Sequence, residues 1–235
     1  MRRKTTAVRI GNVVLSSEEP VLVQSMLNTS TREVDACVEQ AIRIIEAGGR
    51  LVRITAPGVK EAEMLGEIHR RLRERGYTTP ISADIHFVAE AASVAARYVE
   101  KVRINPGNFA DKRATFKKLT YTDEEYAAEL EILRQKFTEF LEVCRQYGTA
   151  VRIGTNHGSL SDRSMSRYGD TPAGMVEATM EYLRVCQACD FKDVVISLKS
   201  SDCRTMVDAV RLLVEKMEAE GMCYPLHLGV TEAGE

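Results

Sequence analysis

The stretch KVRINPGN, residues 101–108, places an arginine in the middle of what is otherwise typical of a buried β-strand. The pattern occurs twice more, as LVRITAPG at 51–58 and AVRIGTNHG at 150–158. Successive side chains of a strand point to opposite faces, so the Val and Ile of each copy share one face. Arg53, Arg103 and Arg152 therefore lie on the other face, close to the carboxyl end of each strand.

Around these copies, short β-branched runs alternate with long amphipathic stretches, which is typical of a parallel sheet covered by helices. Apolar residues recur at helical spacing within 38–45, 130–141 and 206–217, which predicts core-facing helices. A hairpin with its turn near residues 11–12 is expected to plug the bottom of the sheet. The predicted strands are 20–26, 50–55, 80–86, 101–105, 150–154, 193–199 and 225–231.

Seven β/α units predict an α/β fold of the TIM type, a (β/α)8 barrel, which typically needs about 250 residues. Only seven barrel strands are present, and residue 235 lies just past the seventh. We expect one truncated barrel domain over residues 1–235, with the eighth strand missing. An open sheet is the alternative.

The composition restricts the class of protein. The 235 residues are 44% apolar with a formal net charge of −2, so no overall basic field would attract nucleic acid or an anionic membrane. No apolar run approaches the roughly 20 residues that span a bilayer, and no secretory leader is recognisable. Six cysteines scattered over a chain of this size fit a reducing compartment, so we expect a cytoplasmic protein.

The arginine-bearing face should be the interior of the barrel, near the carboxyl-terminal mouth where barrel active sites lie. Asp84 is the inward acid expected there. Buried cations must be paired or ligand-bound, so the missing counter-charge predicts an anionic ligand such as a diphosphate. The same parity sends inward Gln24, Asp84, His86, Ser197, Lys199 and His227.

Other interpretations of these residues stay open at the level of sequence. A single arginine could lie on the surface of a misphased strand, Asp84 could serve only as a salt-bridge partner, and His86 could be a satisfied core histidine. The pair Cys186 and Cys189 in CQACD continues a helical stripe, and an isolated C-x-x-C lacks the second pair of a zinc site. We interpret this pair as packing and predict no metal site in the chain.

The motifs VLVQSM, VRIT, ADIHF, VRINPGN, VRIGTNHGSL, ISLKSSD and HLGVTEAG occur in this order from about residue 5 to the last residue. In this combination the chain resembles the (E)-4-hydroxy-3-methylbut-2-enyl diphosphate synthases. The resemblance implies a barrel that binds 2-C-methyl-D-erythritol 2,4-cyclodiphosphate, an intermediate of the non-mevalonate isoprenoid pathway. The family reaction is a reductive ring opening with loss of water, which yields 4-hydroxy-3-methylbut-2-enyl diphosphate.

The resemblance also implies roles for individual residues. Asp84 and His86 would lie near the substrate hydroxyl groups or orient the arginines, and Glu232, in TEAG, would act as the proton donor at the reacting carbon. The residues that would bind the diphosphate are Arg53, Arg103, Asn105, Arg152, Asn156 and Lys199.

In the family, a separate C-terminal domain carries a 4Fe-4S cluster, ferredoxin or flavodoxin supplies two electrons, and a homodimer brings the cluster over the partner's barrel. That domain and its cysteines are missing from this sequence, and Cys186 and Cys189 do not match the cluster ligands. We therefore expect the isolated chain to be catalytically inactive. The long segment between strands four and five resembles the three-domain form of the family.

Two competing functions remain. A dihydropteroate-synthase-like barrel would also bind a diphosphate substrate, but it needs a pterin pocket, whereas three Val-Arg-Ile strands favour a small, highly charged ligand. The second is a non-catalytic anion-binding domain whose partner supplies the function. A Rossmann domain is disfavoured because no G-x-G-x-x-G follows any predicted strand.

Overall fold

The computed structural model describes residues 2–86, 88–111 and 120–229. Its main feature is a six-stranded parallel sheet whose strands are paired in chain order, each with its neighbour in sequence. Helices connect the successive strands, as βαβ connections between parallel strands require. The strands of this sheet are β3 (Gln24–Met26), β4 (Leu51–Thr55), β5 (Ile81–Asp84), β6 (Lys101–Ile104), β7 (Ala150–Asn156) and β8 (Val194–Lys199).

The sheet is the incomplete barrel that the sequence predicts. Six of the seven predicted strands are present, although the first is shortened to the three residues of β3. For the seventh, the described part of the chain contains one parallel bridge, between Ile196 of β8 and Leu226. The strands β3 and β8 are not paired with each other, so the described sheet stays open.

The predicted hairpin is confirmed. Strand β1 (Val8–Ile10) pairs antiparallel with β2 (Val13–Leu15), and Gly11 in the turn has a φ of +56°, a value that side chains other than glycine rarely adopt. Apolar hairpin residues pack on the first inward residues of the barrel strands, which closes the amino-terminal end of the interior. The residues of this plug are Val8, Ile10, Val13, Leu51, Ala150 and Val195.

The helices cover the outer face of the sheet, and the apolar stripes predicted from the sequence form the buried layer. Val52 and Ile54 of β4, for example, are completely buried beneath the helices. The helices are α1 (Val34–Glu46), α2 (Val59–Glu74), α3 (Ala89–Ala95), α4 (Pro106–Phe109), α5 (Asp123–Tyr147), α6 (Asp162–Tyr168), α7 (Pro172–Ala188) and α8 (Cys203–Ala219).

Helix α5 is the long element expected between the fourth and fifth barrel strands. It starts with a capping box: the Thr122 hydroxyl accepts from the Glu125 N–H, and the Glu125 carboxylate accepts from the Thr122 N–H. Caps of this kind contribute about 1 kcal/mol. Gly148, with a φ of +68°, ends the helix in the left-handed conformation.

An aromatic cluster fixes the segment that follows β6. Phe109 of α4 packs against Phe137 and Phe140 of α5 and Tyr182 of α7, with ring centroids 5.3 to 6.2 Å from that of Phe109. The Tyr182 hydroxyl donates a hydrogen bond to the Pro106 carbonyl at 3.1 Å. Aromatic pairs of this kind contribute roughly 0.5–1.5 kcal/mol beyond their burial. The turn that carries Asn105 is therefore held against two helices.

No helix in the described part of the chain is both long and apolar enough to cross a membrane.

Candidate anion-binding site

The strand register brings the predicted site residues together. Asp84 of β5 pairs with Arg103 of β6, and Arg103 pairs with Arg152 of β7, so three charged residues lie side by side on the inner face. One step away, Arg53 of β4 lies on the same face and extends to Asp84. The three Val-Arg-Ile copies thus converge on one carboxylate inside the barrel, as their parity predicts.

Asp84 is the centre of this cluster. Its Oδ2 accepts from Arg53 Nε at 2.6 Å and from a terminal nitrogen of the same guanidinium. Its Oδ1 lies 3.3 Å from Arg103 Nη1 and 4.0 Å from Arg152 Nη2. Asp84 is fully buried, and Arg103 and Arg152 are each 3% exposed. Asp84 is thus a salt-bridge partner for all three arginines.

The charges in this cluster do not balance. Burial acts to raise the pKa of Asp84, but Arg103, Arg53 and Arg152 outweigh it and lower that pKa, so the group is a carboxylate at neutral pH. Burial, together with Arg53 and Arg103, lowers the pKa of Arg152 to about 9 against the opposing effect of Asp84, which still leaves a cation at neutral pH. Three cations therefore face one anion in a buried layer, and a bound anion would relieve the excess.

Arg103 is held by the backbone of the next strand. Its Nη2 donates to the Gly154 carbonyl at 2.9 Å, whereas its buried Nε has no hydrogen-bond partner among the described residues. A Cβ added at Gly154 would approach that Nε to 2.6 Å. Glycine at this position therefore makes room for the guanidinium, a requirement that sequence reasoning did not identify.

Two lysines extend the positive surface. Lys199 ends β8 in register with Asn156 of β7, and burial followed by Arg152 lowers the pKa of its half-buried ammonium. Lys101 opens β6 and is 3% exposed, with Nζ 3.3 Å from Gln24 Oε1. Sequence reasoning missed Lys101, although it shares strand parity with Arg103. That parity was the signal that could have found it.

Two histidines border the cluster. His86 Nε2 lies 3.9 Å from Asp84 Oδ1, and burial lowers the pKa of His86, so the ring is neutral at pH 7. Burial and the charge of Arg152 lower the pKa of His227 to about 3. Neutral His227 can therefore accept through Nδ1 from Arg152 Nη1, which lies 3.4 Å away. Both side chains are beside the arginines, as predicted.

The two predicted asparagines differ in their surroundings. Asn105 is buried, and its amide makes local bonds: Oδ1 accepts from the Gly107 N–H at 3.2 Å, and Nδ2 donates to Ser159 Oγ at 3.0 Å. Asn105 thus caps α4 and ties it to the loop after β7. Asn156 is half-buried at the end of β7, beside Lys199. The predicted proton donor, Glu232, lies outside the described residues.

The cysteines of CQACD pack as the sequence indicates. Cys186 lies in the hydrophobic core with its thiol pKa raised by burial, and Cys189 follows the last turn of α7. Across residues 2–86, 88–111 and 120–229, no group of three His, Cys, Asp or Glu side chains could hold a metal ion. The described residues therefore do not fit an iron-sulfur cluster, and no chemical step of such a cluster is assigned to them.

The interior opens on the side between β3 and the segment 225–229. A cavity of about 610 Å³ lies there, lined by Gln24, Lys101 and His227 from the barrel face and by Arg2 and Arg3 from the amino terminus. Leu15, Ser16 and Ser17 at the hairpin also line this cavity, so it lies between Lys101 and the hairpin.

An open β/α sheet with an arginine-rich inner face defines a TIM-type barrel domain with an interior suited to anions. Solved structures share this architecture. A truncated 3-deoxy-D-arabino-heptulosonate 7-phosphate synthase from Thermotoga maritima aligns with a TM-score of 0.56 at 13% identity, over 97% of this chain and 69% of that one. The HPPK-DHPS of Plasmodium falciparum aligns with a TM-score of 0.53 at 10% identity, over 96% of this chain and 41% of that one. These identities show the fold alone.

Sequence comparison defines the family. The family model of the GcpE TIM-barrel domain matches residues 5–235, and the chain belongs to this family. The enzyme of Parabacteroides distasonis named 4-hydroxy-3-methylbut-2-en-1-yl diphosphate synthase (flavodoxin) is 60% identical over 234 residues, which cover 100% of this chain and 38% of that protein. A chloroplastic relative of Arabidopsis thaliana, whose name specifies ferredoxin, is 49% identical over 235 residues, 100% of this chain and 32% of that protein. The chain thus spans 38% and 32% of the length of these two relatives.

Proposed function

We propose that this chain is the substrate-binding barrel of a 4-hydroxy-3-methylbut-2-enyl diphosphate synthase and binds 2-C-methyl-D-erythritol 2,4-cyclodiphosphate in its interior. The observation that carries the proposal is the buried excess of positive charge around Asp84. The names of relatives that are 49% and 60% identical to the whole chain support the choice of substrate.

The arginines suit a diphosphate because each guanidinium offers a planar fork of donors that matches two phosphate oxygens. Arg53 and Arg103 already use part of that fork on Asp84, which holds both side chains in place. Lys199 adds a mobile point charge at the carboxyl end of β8. A dianionic ligand would bring the charge of this layer close to neutrality, which favours binding in a buried setting.

The remaining residues have proposed roles around that ligand. Asp84 orients the arginines, and His86 faces the substrate hydroxyl groups as a neutral ring. Asn156 supplies an amide beside Lys199, while Asn105 acts mainly through α4, which it caps, and through the loop after β7. Glu232 is the proposed proton donor at the reacting carbon.

The complete protein would perform a reductive ring opening and dehydration of the cyclodiphosphate. Electrons would come from flavodoxin or ferredoxin, the donors in the relatives' names. A 4Fe-4S cluster would be held by a C-terminal domain beyond this sequence, in a homodimer. The present chain alone supplies binding and orientation, and we expect it to be inactive in turnover.

Calorimetric titration with two ligands tests the proposal. We expect the cyclodiphosphate to bind in a 1:1 ratio, and 6-hydroxymethyl-7,8-dihydropterin diphosphate to bind no better than inorganic diphosphate. Tighter binding of the pterin ligand would instead favour a dihydropteroate-synthase-like function. Equal binding of all three would support a non-catalytic anion-binding domain.

A further inference from the structure

Lys101 is a buried lysine to which the proposed mechanism assigns no role. It begins β6 on the inner face, two residues before Arg103, and is 3% exposed. Its neighbours in the strand register are Ser82 of β5 and Ala150 of β7, neither of which carries a charge. These two neighbours therefore provide no opposite charge that would stabilise an ammonium at this position.

The surroundings of Lys101 offer a neutral partner. Its Nζ donates to the Gln24 amide oxygen at 3.3 Å, and no carboxylate in the described part of the chain forms an ion pair with it. The one acid of the interior cluster, Asp84, already serves three arginines. A buried lysine in such a setting favours its uncharged amine.

The electrostatic environment agrees with this geometry. Burial, Arg152 and Arg53 together lower the pKa of Lys101 to about 7, and Asp84 opposes them only in part. Amine and ammonium are therefore both populated near neutral pH in the empty chain. The charged and titratable groups that face Lys101 or line its cavity are Arg53, Asp84, Arg152, Lys199 and His227 on the sheet side, and Arg2, Arg3 and Glu19 near the amino terminus.

We propose that Lys101 is a further residue of the anion site, that above neutral pH it is mainly a neutral amine while the site is empty, and that it takes up a proton from solvent when a multiply charged phosphate ligand binds above it. The class of ligand rests on the proposed function, whereas the protonation of Lys101 rests on its own surroundings. Lys101 acts through the field inside the barrel, and above neutral pH its ammonium becomes the main form only when the ligand is present.

Proton uptake makes affinity depend on pH. Between the pKa of Lys101 in the empty chain and its higher value in the complex, each unit of increasing pH lowers the affinity by up to about tenfold. The ligand does not titrate in this window, because each phosphorus of the cyclodiphosphate carries a single strongly acidic hydroxyl. His86 and His227 take up protons at lower pH, since the pKa of each lies below its ordinary value.

Calorimetry at pH 7.8 in two buffers of different ionisation enthalpy counts the protons taken up on binding. We expect the wild type to take up between about half and one proton per cyclodiphosphate and Lys101→Met to take up at least threefold less. Lys101→Arg is the matched control, because its permanent charge should preserve affinity at this pH without the uptake. Equal proton uptake by all three proteins would overturn the inference.

A second readout separates this inference from the proposed function. In protein with ¹³C-labelled lysine, the ε-carbon signal of Lys101 is the one that is absent from the Lys101→Arg spectrum. We expect this signal to titrate with a midpoint near pH 7. Sulfate, whose charge is constant in this range, should move that midpoint to higher pH. If that shift occurs while the cyclodiphosphate fails to bind, Lys101 behaves as inferred and the proposed substrate is wrong. If the cyclodiphosphate binds and Lys101 titrates at the ordinary pH of lysine, the inference alone fails. A Lys101 titration midpoint that neither sulfate nor the cyclodiphosphate changes would also overturn the inference.

Discussion

At the scale of single residues, the inner face of this sheet contains buried charges that are costly to leave unpaired. Asp84 is fully buried with three arginines around it, and removal of one member of a buried ion pair leaves an uncompensated charge. The positions of the arginines depend on small neighbours as well, because Gly154 leaves room for Arg103. The site is therefore sensitive to changes in residues that would not touch a ligand.

Asp84→Asn should lower the free energy of unfolding by about 3–5 kcal/mol at pH 7. The folded-state pKa of Asp84 is lowered, so its stabilising contribution is present above the unfolded-state pKa of about 3.9 and is lost as pH falls below it. Urea unfolding at pH 7 and near pH 3 measures both effects. If the free energies of unfolding of the wild type and Asp84→Asn differed equally at both pH values, this account would be contradicted.

Gly154→Ala should displace the Arg103 guanidinium, because the added Cβ would lie 2.6 Å from Nε. Loss of a charged hydrogen bond corresponds to at least about a tenfold loss of affinity for the cyclodiphosphate, which calorimetry measures. Gly58→Ala is the matched control, since its Cβ meets the end of the Glu61 side chain at 3.1 Å. Unchanged binding by a folded Gly154→Ala protein would show that Arg103 is not constrained in this way.

Strand parity was sufficient to predict that the three arginines share the interior. It placed Arg53, Arg103 and Arg152 on one face because each lies between two aliphatic residues that the helices cover. The same parity applies to Lys101, but its burial was not predicted, because a lysine at the start of a strand is more often exposed than buried. The bond from Asn105 Nδ2 reaches Ser159 in the loop after β7, more than 50 residues away, and no pattern near Asn105 indicates that contact.

At the scale of elements, a second buried charge cluster joins the helices beside the site. Arg163 of α6 makes two hydrogen bonds to Glu181 of α7, at 2.7 and 2.8 Å, and one to Asp111 at 3.1 Å. The Tyr126 hydroxyl of α5 also donates to Glu181. The cluster thus connects α5, α6 and α7 around the loop that follows β7.

Arg163→Met should lower the free energy of unfolding by about 3–5 kcal/mol, because it leaves two buried carboxylates without their cation. Arg184→Met is the matched control: Arg184 pairs with Glu220 on the surface, and such pairs contribute about 0–1 kcal/mol. Chemical denaturation of both variants at pH 7 measures the contrast. Equal losses would mean that the buried cluster contributes no more than a surface pair.

The helices were more predictable than the strand ends. The apolar stripe within 130–141 predicts the helix α5, because helical periodicity is a local feature. The start of β3 depends on pairing with β4, where only three residues match in register. The predicted strand 20–26 therefore started four residues too early.

At the scale of the whole molecule, the open side of the sheet is an exposed edge. Val21 and Val23, just before β3, are 76% and 57% exposed, and Leu228 on the opposite side is 62% exposed. Unpaired strand edges with apolar side chains favour association with other strands.

We expect this chain to associate with itself in a concentration-dependent way, and Val23→Lys to reduce that association because a charge opposes edge pairing. Light scattering over a range of protein concentrations measures the mass of both proteins. Val207→Lys is a control, since Val207 is exposed on helix α8 and not on a strand. A wild type that stays monomeric throughout would contradict the expectation.

The central claim, that the convergent arginines bind a diphosphate, is tested most directly by cyclodiphosphate binding to Arg103→Met and to Arg184→Met, with circular dichroism to verify folding. Arg103 lies in the interior cluster and Arg184 on the surface of α7. The account predicts a loss of affinity of about a hundredfold for Arg103→Met, since charged hydrogen bonds contribute roughly 1.5–3 kcal/mol each, and no change for Arg184→Met. Wild-type affinity in a folded Arg103→Met protein would contradict it.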